Sequence, residues 1–324
     1  MKRHPLLLSA LLLSVFAAPS RAGEPELQAL SQSHQHVALE ALARARLARD
    51  PLDDAALWAW GLDAAGEPGL RPELLARTRE CVRAKPQSAR CQNLWGVLIA
   101  ARLMEEIDLS ALGAIGEMRE HFEAAVTLAP QDYAMRHDLQ AFYLEVPGVL
   151  GGSHRKAVAQ AEALSRIDPP HAALLRASIA ISDKAFDRAE SLLAGVQPGT
   201  DAILAGDLRS VQADFGIALL EADDPARARA WFERLLQQDP RAPEFHAGRG
   251  RALLALKQAP AAVGAFEQAL QLDARMHIQH RVAAAAEAAG DKPKAIEAWQ
   301  RVLAEPAEAA HADKARNRLA ALQR

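Results

Sequence analysis

The sequence predicts an all-α chain, a solenoid of antiparallel helix pairs, on three observations. Half of the 324 residues are hydrophobic while aromatics make up only 5%. Much of the apolar share is Ala and Leu, strong helix formers with small or unbranched side chains. Residue types recur at a spacing of 33 to 34, and prolines punctuate the stretches between. Alternating β-branched runs that would mark strands are absent. A stacked array also explains the length, because each unit packs only on its neighbours and no single large core is needed.

The period is clearest from about 209 to 306. Gly216, Ala228, Phe232, Leu235 and Pro240 align with Gly250, Ala262, Phe266, Ala269 and Ala274, and more loosely with Ala284, Ala295, Trp299, Val302 and Pro306. Ala228 to Ala262 is 34 residues and Ala262 to Ala295 is 33. Small residues on the first helix (Gly216, Gly250) and on the second (Ala228, Ala262) let two helices approach closely. Phe232, Phe266 and Trp299 stand four residues after those alanines, on the same helix face, and fill the gap to the next hairpin. Asp239-Pro240 ends a helix, since proline pushes the preceding residue out of the helical region.

These residues resemble the tetratricopeptide repeat signature. The resemblance implies a right-handed superhelix of about eight helix pairs with a concave face lined by the first helix of each pair. The same grammar continues N-terminally, with breakers at Pro51, Pro86, Pro130 and Pro169, and Gly61 and Gly96 at the small-residue place beside Trp60 and Trp95. The wide gap from Pro86 to Pro130 predicts longer helices with a turn over Ile107 to Gly116. The unit from about 171 to 198 lacks the alanine–aromatic pair, and the next helix is expected near Ala202. The last helix, Glu308 to Gln323, reads as a cap with Ala312, Ala315, Leu319 and Leu322 on one side. The expected organisation is a signal peptide at 1–22, divergent repeats with extended helices at 23–170, repeats at 171–307, and the cap at 308–324.

Lys2 and Arg3 precede an apolar run from Leu6 to Ala18, and Ser20-Arg21-Ala22 offers small residues where a signal peptidase reads. The expectation is export to the periplasm or beyond, with a mature chain from about Gly23. An uncleaved anchor is the alternative. No Cys follows the run to accept a lipid, and no later segment has the roughly 18 apolar residues of a membrane helix. Removing the three basic residues of 1–22 takes the formal charge from −3 to −6. That argues against nucleic acid as a partner.

Export gives the two cysteines meaning. Cys81 and Cys91 lie five residues either side of Pro86, so a turn there would set them at matching heights on facing helices and allow a disulfide. Two buried free thiols are the alternative. Two cysteines without a neighbouring His do not make a metal site.

No catalytic constellation stands out among the eleven histidines, and no cofactor motif is present. His277 and His280 share a helix face without a nearby carboxylate in sequence, and Asp223-Asp224 before Pro225 read as helix-start caps. The run from Pro147 to Lys156 lacks the Gly-Lys-Ser/Thr of a phosphate loop. It resembles an extended inter-helix loop of bacterial tetratricopeptide proteins, including some that serve periplasmic transport systems. Ser153 is a cap, and His154, Arg155 and Lys156 offer charges for an anion. The resemblance places Trp58, Arg90, Asn93, His137, Ser210, Glu244, Arg251 and Arg281 on the concave face. The Lys/Asn/Arg clamp of chaperone-binding members is missing. The functional expectation is a non-enzymatic scaffold binding a peptide or protein of the cell envelope along that face. The alternative is a ligand-handling periplasmic subunit of a transport system.

Overall fold

The computed structural model describes residues 25–105 and 111–323, so the expected signal peptide, residues 1–22, lies outside the described residues. Among the described residues there are 17 α-helices and no strand. The first sixteen follow one another as eight consecutive pairs. They are α1 (Pro25–Gln32) with α2 (His36–Arg49), α3 (Asp54–Asp63) with α4 (Arg71–Ala84), and α5 (Ala89–Glu105) with α6 (Ala111–Leu128). Then come α7 (Tyr133–Glu145) with α8 (His154–Leu164), α9 (Pro169–Ser182) with α10 (Phe186–Ala194), and α11 (Ala202–Glu221) with α12 (Pro225–Gln238). The last pairs are α13 (Pro243–Ala255) with α14 (Ala259–Leu272) and α15 (Gln279–Ala288) with α16 (Lys292–Ala304), followed by the single α17 (Ala312–Leu322). Two compact units divide between Val211 and Gln212, inside α11. Residue 171, the expected start of the second set of repeats, lies in the first turn of α9, which packs on α8 within the first unit.

Local chemistry explains the punctuation. Second helices end on a residue in extended or near-extended backbone just before proline: Asp50 (φ −131°), Lys85 (φ −126°) and Asp239 (φ −131°). First or second helices then start on an aspartate whose carboxylate accepts the N–H three residues on, as at Asp53, Asp132, Asp168, Asp224 and Asp291. Asp223 departs from the capping role expected of it. Its φ is +61°, and Lys257 (φ +61°) and Gly290 (φ +77°) hold the same left-handed place in the next two hairpin turns. The turn closes with Lys257 N–H on Leu254 C=O and Gln258 N–H on Leu253 C=O, a geometry that fixes φ regardless of residue type. The expected turn over 107–116 is also shorter at its end. Gly113 and Gly116 lie within α6, and residues 106–110 fall outside the described residues.

In the second unit the register follows the repeat. Ala228, Ala262 and Ala295 are fully buried, and Phe232, Phe266 and Trp299 are buried behind them. The Phe232 ring occupies the space that a side chain at Gly216 or at Gly248 would need, so two glycines on successive first helices make its socket. In the first unit, α10 places Ala189 and Leu193, both buried, where other second helices carry alanine and an aromatic.

The C-terminal cap starts later than expected. Residues Pro306–His311 form a 3-10 turn, and α17 begins at Ala312 rather than Glu308. The reason is Glu308 itself, buried to 1% exposure. Its carboxylate accepts the N–H groups of Gln279 and His280, and His280 Nδ1 lies 2.8 Å away. It thus caps α15, whose own N-cap is Ile278 and offers no side-chain acceptor. Glu308→Ala should cost about 1–3 kcal/mol in urea melts, the usual penalty for leaving buried donors unpaired. An unchanged midpoint would remove this capping role. No helix among the described residues is long and apolar enough to cross a membrane.

Candidate partner-binding face

The first helices of the first unit carry one polar residue after another toward a shared buried row. Trp58 Nε1 on α3 donates to Asn93 Oδ1 on α5 at 2.7 Å, and Asn93 Nδ2 donates to Asp138 Oδ2 on α7 at 2.7 Å. His137 Nδ1 lies 3.5 Å from Asp138 Oδ1. The Tyr133 ring bridges onward, its centroid 5.5 Å from that of His137 and 4.6 Å from that of His171 on α9. His171 then donates Nδ1–H to Asp168 at 2.8 Å and Nε2–H to Asp207, in the first-unit part of α11, at 2.9 Å. The hydrogen-bonded partners Trp58–Asn93, Asn93–Asp138 and His171–Asp207 stand 35, 45 and 36 residues apart, so each bond joins one repeat to the next.

Burial decides what this row can do. Trp58, Asn93, His171 and Asp207 are each at most 2% exposed, and His137 is 5% exposed. Trp58 and Asn93 therefore hold repeats together rather than face a ligand, and His137 is enclosed with them. Burial works against a charge on His171, but its bonds to Asp207 and Asp168 and their charges outweigh that and raise its pKa above 6.5. In its charged form this imidazole donates from both ring nitrogens and has no lone pair left to act as a base. Burial also pushes the Asp207 carboxyl up to about 6, against the pull of His171.

The other residues expected on the concave face remain partly exposed: Arg90 and Ser210 in the first unit, and Glu244, Arg251 and Arg281 in the second. Arg251 and Arg281 make no hydrogen bond or ion pair among the described residues. Burial lowers the pKa of both. For Arg281, the charge of Arg251 adds to the effect and brings it down to about 10, with Glu308 opposing.

The loop at 147–156 is built for geometry. Gly151 adopts φ +110°, Ser153 N–H bonds Tyr143 C=O at 2.8 Å, and Ser153 Oγ caps Lys156 N–H. Lys156 pairs with Glu123 and His154 with Asp183, so two of the three charges proposed for an anion are already engaged. A shallow depression on the second helices, between Val263 and Lys294, likewise has its Lys294 paired with Glu267.

Cys81 on α4 and Cys91 on α5 have Cα atoms 5.7 Å apart, with their sulfurs at bonding distance. The bond ties the second helix of one pair to the first of the next and closes a span of ten residues. Chain entropy for that span gives about 2.7 kcal/mol. Reduction should lower the melting temperature accordingly, and mass spectrometry of non-reduced protein should find no alkylatable thiol. Two free thiols would refute the pairing.

No family model matches the chain, and no curated protein matches it. Solved structures do. The crystal structure of yeast Tom70 aligns with a TM-score of 0.58 at 13% identity, covering 100% of this chain and 66% of that one. The Cut9–Hcn1 hetero-tetramer of APC/C aligns at TM-score 0.50 and 17% identity, covering 91% of this chain and 54% of the matched one. Both are tetratricopeptide-repeat structures. The chain has the tetratricopeptide-repeat fold. The chain thus spans less than two thirds of either structure's chain. Within the repeat fold, sequence reasoning missed Asp138, His171 and Asp207. The signal for Asp207 was a lone acid inside the otherwise apolar start of α11; for His171 it was a place 34 residues after His137.

Proposed function

We propose that this chain is a non-enzymatic scaffold that binds a peptide or protein of the cell envelope along the first helices of its repeats. Folds of this type are scaffolds for protein–protein contact. The observation that carries the reading is the contrast along those helices. In the first unit Trp58, Asn93, Asp138, His171 and Asp207 are buried and hydrogen-bonded, whereas in the second Arg251 and Arg281 make no hydrogen bond or ion pair among the described residues. The placement in the envelope rests on the charged and apolar pattern of residues 1–22. Co-purification from envelope extract, followed by chemical cross-linking and peptide mapping, tests it. One enriched partner with cross-links at first-helix residues such as Glu244 is expected. Cross-links confined to second helices, or no enriched protein, would overturn it.

A further inference from the structure

The C-terminal cap of the second unit is fastened at two places. At its far end Arg318 Nε donates to Glu287 on α15 at 2.8 Å, and Ala315 and Leu319 are buried. Its near end depends on histidines. The Pro306–His311 turn lies against α15, where Glu308 accepts the N–H groups of Gln279 and His280. His280 Nδ1 is 2.8 Å from the same carboxylate, and the His280 ring stacks on His311 with centroids 3.8 Å apart and planes at 29°. The two rings are not equivalent. His280 has a carboxylate at Nδ1 to offset a charge, whereas His311 makes no hydrogen bond among the described residues. The charged groups around His311 are mostly cations: His280 and Arg281 from α15, and Lys314 from α17. Glu308 opposes them, and Glu305, at the end of α16, is engaged by His277. A proton on His311 therefore sits partly desolvated among like charges, against a ring that can itself be charged.

We propose that the His280–His311 stack is a pH-sensitive latch: with His311 neutral it closes the Pro306–His311 turn over the start of α15, and protonation of His311 opens it. Burial, with the cations named above, holds His311 below 6.5 in the closed turn, so the open turn takes a proton that the closed one resists. The closed form is thus fully favoured above about pH 6.5 and loses ground as pH falls below it, until His311 is charged in both forms. The far end of the cap stays in place through that window, because Arg318 holds the Glu287 carboxyl below the usual carboxylate range. The latch needs no partner and is independent of the scaffold reading.

The test follows amide hydrogen exchange by NMR in the full chain at about pH 7.5 and about pH 5, expressed as protection so that the intrinsic pH dependence of exchange cancels. The reporters are the Gln279 and His280 amides that Glu308 accepts, with amides inside α14 and in the last turn of α17 as references. Reporter protection should fall roughly fivefold or more on acidification, the change equivalent to one like-charge repulsion at about 4 Å in water, while the references hold theirs. His311→Gln, which cannot be charged, should match the wild type at the higher pH and lose the fall. His311→Arg, charged throughout, should show low reporter protection already at the higher pH. Equal wild-type protection at both pH values, a fall that persists in His311→Gln, or low protection of that variant at the higher pH would each overturn the latch. So would full protection in His311→Arg, or a parallel loss in α14 or at the end of α17.

Discussion

Phe232→Ala should destabilise the second unit by about 3–5 kcal/mol, the range for truncating a buried aromatic. The ring is fully buried and fills a socket whose two walls are Gly216 and Gly248, with Phe245 at 6.5 Å between centroids. Neither glycine has a side chain to move into the void, so the cavity stays largely open and the cost falls toward the upper end. Phe232→Leu should lose less, because it keeps part of the volume. The measurement is the urea midpoint with its slope. A shift near zero would mean that the repeat register assigned here is wrong.

Asp207→Ala should cost about 3–5 kcal/mol in the first unit, because it strips one carboxylate from a buried, charged imidazole. The same pair sets a pH dependence. His171 has its pKa raised above 6.5, so the folded chain keeps a proton that the unfolded chain releases. Its contribution to stability is complete below about pH 6.5 and fades as pH rises through the raised value. Asp207, pushed up to about 6, acts with the same sign at lower pH. His121 and His311, lowered chiefly by burial, act oppositely but only below 6.5. The clean window therefore lies above 6.5, where wild-type stability should decline and Asp207→Asn should flatten the decline. NMR titration of His171 should show a raised pKa in the wild type that drops in Asp207→Asn. A His171 titrating at or below 6.5 in the wild type would refute the charged pair.

The repeat was legible wherever a residue type follows from one local requirement. Alanine at 228, 262 and 295, and the aromatic four residues later, are demanded by close helix approach, so period and type agreed. The start of α11 at Ala202 follows from Pro198-Gly199 just before it. What was illegible depends on residues far away in sequence. Trp58 and Asn93 occupy first helices as read, but the acceptors that engage them when buried, Asn93 and Asp138, lie a repeat away. Glu308 looked like the first residue of a cap helix. Its capture by the N-terminus of α15, 28 residues earlier, cannot be seen in the spacing. Asp223 looked like a cap because aspartate suits both roles, and only the backbone tells the left-handed turn from the helix start.

The scaffold reading makes the second unit's first helices the contact face. A photo-reactive phenylalanine placed at position 244, a partly exposed first-helix position on α13, reports on that face. The same residue at position 297, on the exposed side of α16, serves as its counterpart. Irradiation in envelope extract should yield one discrete adduct from position 244 and none from position 297. Adducts of equal yield from both positions, or from position 297 alone, would contradict the account.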